Sequence, residues 1–125
     1  MADELPRYRV QPLPVVQKWA KKTLSSVQLR EGIKLARVLR FYPNVPELDI
    51  QRCGDGMELR IEHPSIGKQG WLRAIFWIDE REKTIYIVDL FWKKTNAISP
   101  ADKLRANQRI RGLKAASAAG KKPWR

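Results

Sequence analysis

The spacing of apolar residues changes period twice along the chain. Leu13, Val16, Ala20 and Leu24 recur at intervals of three and four, which builds one apolar helical face. Pro14 suits the first turn of that helix, and Lys18, Lys21 and Lys22 fall off the apolar face. Ser25-Ser26-Val27-Gln28 has the form of a capping box, and Leu29, Ile33, Ala36 and Leu39 continue a second stripe that Pro43 ends. Residues 43–56 are rich in turn-formers. From Met57 the period is two. Met57, Leu59 and Ile61 form one side of a strand, and Glu58, Arg60 and Glu62 form the other. A polar loop, His63 to Gly70, leads to a strand from Trp71 to Ile78 with Leu72, Ala74, Phe76 and Ile78 on one face and Arg73 on the other. Asp79 to Lys83 has hairpin length, and Thr84 to Trp92 is rich in β-branched and aromatic residues. The period returns to helical after Ser99-Pro100-Ala101-Asp102, an N-cap, a first-turn proline and an acid at the positive end of the dipole. Ala106, Ile110 and Leu113 make a narrow stripe on that last helix.

The order is therefore arm, helix, helix, three strands as an antiparallel meander, and a helix. The economical arrangement is α+β, a single sheet with helices on one face. One domain is expected over residues 1–115. Within it, residues 1–11 form an N-terminal arm in which Tyr8-Arg9-Val10 makes a brief edge strand. Residues 116–125 are expected as a basic, flexible tail.

Charge sharpens this picture. The chain of 125 residues has a formal net charge of +12. Residues 93–125 hold ten of the 25 Lys+Arg and one of the 13 acids, so the body is nearly balanced and the C-terminal quarter is electropositive. Such a surface attracts polyanions, nucleic acid first. A solvated basic tail without a ligand is the alternative. One cysteine, Cys53, and one histidine, His63, exclude a disulfide framework and a Cys/His zinc site. No metal or cofactor is expected, nor a membrane span or signal peptide, so a cytoplasmic protein is expected.

Conventional catalytic sets are missing, and cations remain. Arg60 and Arg73 lie on the non-core side of neighbouring strands, and Lys93 and Lys94 follow the third strand. If the strands align, these four ring one patch. Guanidinium groups bind a phosphodiester bidentately, and a lysine among other cations has a lowered pKa. Such a cluster can stabilise the transition state of phosphodiester cleavage, with a lysine, or His63 from the adjoining loop, moving protons. The bland alternative has Arg60 and Arg73 in ion pairs with Glu58, Glu62 or the acids of residues 79–82. Trp92, among the interleaved aromatics, is a base-stacking candidate, and Lys103, Arg105, Arg109 and Arg111 on the last helix are RNA-docking candidates.

Gly56-Met57-Glu58-Leu59-Arg60-Ile61, Arg73-Ala74-Ile75-Phe76-Trp77, Leu90-Phe91-Trp92-Lys93-Lys94-Thr95, and Pro100 with Ala106-x-x-Arg109 together resemble the RelE/ParE toxin superfamily, closest to its HigB-like, phage-derived branch. The resemblance implies two N-terminal helices packed on a curved antiparallel sheet of three to four strands, with a basic C-terminal helix. It implies the toxin of a bacterial or phage type II toxin–antitoxin pair. Many members cleave mRNA on the ribosome without metal, by attack of the ribose 2′-OH, and so inhibit translation. Arg60, Arg73, Lys93 and Lys94 match the family's basic positions, with implied roles in phosphate binding, transition-state stabilisation and proton transfer. A cognate antitoxin, a small helix-turn-helix protein, is the implied partner beside ribosome and mRNA. The sequence departs from the family in having no tyrosine or histidine near the last helix. Two other readings stay open: a toxin that binds a protein target such as DNA gyrase, and a non-catalytic basic RNA- or DNA-binding module.

Overall fold

The computed structural model describes residues 5–61, 71–93 and 98–120, with the backbone alone at Trp71 and Lys93. His63, the loop around it and Lys94 lie outside the described residues. The elements run β1 (Arg9–Pro12), α1 (Pro14–Thr23), α2 (Ser26–Leu39), β2 (Asp49–Cys53), β3 (Gly56–Ile61), β4 (Trp71–Asp79), β5 (Thr84–Lys93) and α3 (Pro100–Ala118). The five strands form one sheet in the order β1-β5-β4-β3-β2. β1 pairs parallel with β5, and the other pairs are antiparallel. None of the described helices is long and apolar enough to cross a membrane.

The α+β class stands, with two corrections. The sheet has five strands, not three or four, with the brief edge strand expected in the N-terminal arm present as β1. The helices also lie on both faces instead of one. Leu59, Ile61, Leu72, Ala74, Phe76, Ile85 and Ile87 build the core shared with Val16 of α1, Leu24 just after it and Leu39 of α2. On the opposite face Ile75, Tyr86, Val88 and Phe91 pack on Ala106, Ile110 and Leu113 of α3. The narrow stripe of α3 is thus a buried seam, and its basic residues flank it. Of the apolar stripe expected for α2, Leu39 is fully buried and Leu29 packs on the core, but Ile33 is 54% exposed.

Local signals explain the helix starts. The Ser25 hydroxyl accepts from the Gln28 amide at 3.2 Å while Gln28 Oε1 accepts from the Ser25 amide at 2.8 Å. Ser99 caps α3 by accepting from the Asp102 amide at 3.2 Å. β2 has no such signal, because Asp49-Ile50-Gln51-Arg52-Cys53 alternates poorly. It exists because the Gly54-Asp55 connection folds it back on β3, with Gly54 at φ +58°. Asn107 of α3 braces that turn, its Oδ1 accepting from the Asp55 amide at 3.0 Å.

At Gly56 of β3 an added Cβ would stand 2.6 Å from the Phe76 carbonyl oxygen of β4 and 2.8 Å from Ile110 Cδ1 of α3. Backbone cannot yield as a side chain does, so Gly56→Ala is expected to lose about 2 kcal/mol, the range of overpacked cores. Urea denaturation reads this, and an unchanged midpoint would show that Phe76 and Ile110 do not close over Gly56 as described.

The fifth strand contains a bulge. Phe76 pairs with Ile87 and Ile75 with Asp89, which leaves Val88 as the extra residue. A bulge re-aims the side chains after it. Ile85 and Ile87 point towards α1 and α2, whereas Val88 and Phe91 point towards α3.

Candidate functional site

The register brings Arg60 and Arg73 together as cross-strand partners on β3 and β4. Both lie on the α3 side of the sheet, as strand parity requires, but their surroundings differ from those of an open cationic patch. Arg73 is completely buried, and its Nε lies 2.7 Å from Glu58 Oε2. Glu58 is 4% exposed. The same oxygen stands 3.8 Å from Arg60 Nε, and Arg60 Nη2 donates to Gln51 Oε1 at 3.0 Å. Glu58 therefore sits between two guanidinium groups, one sealed and one reaching the surface. The ion-pair alternative is realised for Arg73, in buried form. A buried arginine with a carboxylate partner cannot itself touch a phosphate, although its charge still acts through the low dielectric around it.

Arg60 opens onto a cavity of about 240 Å³ lined also by Glu31, Leu35, Glu47, Leu48, Asp49 and Ile61. Three acidic residues and one arginine line this mouth, so it is not the purely cationic, anion-attracting patch that strand parity suggests.

The cations of α3 divide into two groups. Arg105 and Arg109 turn inward to Asp89, the acid that the bulge in β5 aims at α3. Arg105 Nε donates to Asp89 Oδ2 at 2.8 Å, and its Nη2 lies 2.7 Å from both Asp89 Oδ2 and Asp102 Oδ1. Arg109 Nη1 donates to the Val88 carbonyl at 2.8 Å and to Asp89 Oδ1 at 3.2 Å. Burial works against the charge of Arg105, but its hydrogen bonds to Asp89 and Asp102 outweigh that and raise its pKa. Its guanidinium also lies 5.9 Å from the Phe91 ring centroid. These two arginines join helix to sheet. Lys103 and Arg111 face solvent, with Arg111 only loosely paired to Asp55 at 3.9 Å. Trp92 is half-buried against the α1 and α2 core, on the face opposite Arg73. Lys93 ends β5 opposite Trp71.

Sequence reasoning missed Asp89. The available signal was a lone acid inside an otherwise apolar strand, with Arg105 and Arg109 four residues apart on the following helix. Without the bulge, alternation gives no reason to aim that acid at that helix.

No family model and no curated protein matches the sequence. Similarity appears at the level of structure. The free Escherichia coli toxin RelE, as a double arginine-to-alanine mutant, superposes with a TM-score of 0.58 at 12% identity, covering 85% of this chain and 99% of RelE. The RelE–RelB complex of Pyrococcus horikoshii gives 0.49 at 24% identity, covering 73% of this chain and 99% of that chain. The intact E. coli RelBE toxin–antitoxin complex gives 0.48 at 17%, covering 70% and 99%. The first of these establishes that the chain has a RelE-like fold.

Proposed function

We propose that this protein is the toxin of a type II toxin–antitoxin pair, in the HigB-like branch of the RelE/ParE superfamily, and that it cleaves ribosome-bound mRNA without metal. The observation that carries the reading is the RelE-like fold spanning nearly the whole of RelE, with a basic third helix laid across one sheet face. In the reaction the 2′-oxygen loses its proton to a base and bonds to the adjacent phosphorus. The 5′-oxygen leaves and takes a proton, giving a 2′,3′-cyclic phosphate and a 5′-hydroxyl. Lys93, Lys94 and His63 are the proton-transfer and phosphate-binding groups in this reading, and Arg60 is the surface arginine that joins them in phosphate binding. Arg73 acts at one remove, by holding Glu58. Lys103 and Arg111 supply salt-sensitive docking to ribosomal RNA, and half-buried Trp92 is the base-stacking candidate. An antitoxin protein holds the toxin inactive.

Controlled expression in translating cells, with mapping of mRNA 5′ ends, tests this directly. New 5′ ends within coding regions are expected, and Lys94→Ala is expected to reduce them on the order of 10²-fold, the effect of removing one transition-state donor. Growth arrest with no new ends, but with DNA damage, would replace the nuclease by a gyrase-binding toxin.

The carboxylates around Arg60 and the burial of Arg73 favour a second reading, a non-catalytic basic RNA-binding module. Under that reading expression is harmless, and the purified protein retards RNA without cleaving it.

A further inference from the structure

Arg60 bypasses the acid directly opposite it. On β2, Asp49 is the cross-strand partner of Arg60, and Gln51 is that of Glu58. Opposed side chains of an antiparallel pair have Cβ atoms about 4.5–5.5 Å apart, so Asp49 is the ready partner for an ion pair. The guanidinium goes elsewhere. Arg60 Nη2 donates to Gln51 Oε1 at 3.0 Å, a neutral acceptor. Its Nε lies 3.8 Å from Glu58 Oε2, the oxygen that stands 2.7 Å from Arg73 Nε. Two guanidinium groups thus share one carboxylate, and the trio keeps one positive charge. Glu58 and Arg73 are buried, so that charge meets solvent through Arg60, whose side chain is 19% exposed.

The same contact orients Gln51. A guanidinium has donors and no acceptor, so the amide atom it meets is the oxygen, and the far end of the amide is an NH2 with two donors. Gln51 is exposed, on the strand that closes the sheet at that side. A neutral amide therefore fixes the head of Arg60 without cancelling its charge, and it adds N–H donors beside it. Such donors around one uncancelled cation complement a phosphodiester, whose two non-bridging oxygens both accept. We propose that Gln51 is a further substrate-binding residue, which holds Arg60 away from Asp49 and joins it in binding one phosphodiester of an RNA backbone. This deepens the proposed function and rests on it for the choice of RNA as the polyanion. Asp49 is then the competitor of the phosphate for Arg60, and Gln51 decides between them.

The test uses the full chain and a ten-nucleotide 2′-O-methyl RNA, which lacks the attacking hydroxyl and binds without being cut. Gln51→Ala and Arg60→Ala should each weaken binding roughly tenfold, the effect of one hydrogen bond to a charged group. Each should also flatten the dependence of log Kd on log salt by about one unit, the signature of a lost phosphate contact. The two combined should bind no worse than Arg60→Ala alone, because Gln51 acts with Arg60. In Gln51→Ala the guanidinium can turn to Asp49, so adding Asp49→Asn should recover about threefold or more, well beyond its effect in the parent protein. A glutamine that only steadied the strand would show no such recovery. Unchanged binding in either single variant, or an equal effect of Asp49→Asn with and without Gln51→Ala, would each overturn the proposal. Growth arrest with new mRNA ends beside any of those results leaves the toxin reading intact. Harmless expression beside the expected binding pattern removes the toxin and leaves the phosphodiester site standing.

Discussion

Arg73→Ala is expected to destabilise this protein by about 3–5 kcal/mol, the cost of stranding one member of a buried ion pair. Glu58 is left 4% exposed without the guanidinium that lies 2.7 Å from its Oε2. Arg60, at 3.8 Å, is too far to replace that contact fully. Domains of this size are stable by only about 5–15 kcal/mol, so the variant should be partly unfolded at growth temperature. A double variant, Glu58→Gln with Arg73→Met, removes both charges and should recover most of the loss. Urea denaturation of the three proteins decides it. A single variant as stable as the parent would mean that Arg73 is not a buried structural cation. The consequence for function is direct. Loss of toxicity in Arg73→Ala is no evidence of a catalytic arginine unless the variant is first shown to fold, whereas Lys94→Ala and Arg60→Ala carry cleaner information.

The second large effect is expected at Asp89. Its carboxylate takes hydrogen bonds from Arg105, Arg109 and the Leu90 amide, and Arg105 is also tied to Asp102. Asp89→Ala removes all three acceptor contacts at the point where α3 meets the sheet. The two guanidinium groups are 39% and 26% exposed at the side chain, so water compensates in part. A loss of about 2–3 kcal/mol follows from charged hydrogen bonds discounted for that exposure. Asp89→Asn keeps an acceptor and should lose less. The loss should be local as well as global, with amides in the first turns of α3 exchanging faster while those of α1 and α2 stay protected. Uniform exchange across the three helices would show that Asp89 does not anchor α3.

The partners of these two acids show how far the sequence could be read. Strand parity correctly put Arg60 and Arg73 on one face, because side chains alternate with a fixed period of two. Parity says which face a residue takes but not what covers that face. The narrow stripe of Ala106, Ile110 and Leu113 reads as a minor contact on a cationic helix, yet it seals the α3 side of the sheet. Likewise the spacing of Arg105 and Arg109 is plain, but their partner is not, because the bulge at Val88 shifts parity by one. β2 is hidden for a related reason: its residues have little strand character of their own and are ordered by β3.

What the sequence determined by itself was local: the capped starts of α2 and α3, the period-two faces of β3 and β4, and the concentration of charge after residue 92. These follow from interactions between residues a few positions apart, which spacing records. The tertiary structure alone decided which cations are available. It buried Arg73 on Glu58, turned Arg105 and Arg109 inward to Asp89, and left Lys103 and Arg111 in solvent. It also left β5 without a strand neighbour past Ile87 on its β1 side, among the described residues. A charge is free or committed according to partners brought from distant parts of the chain, and distance along the sequence does not record those meetings.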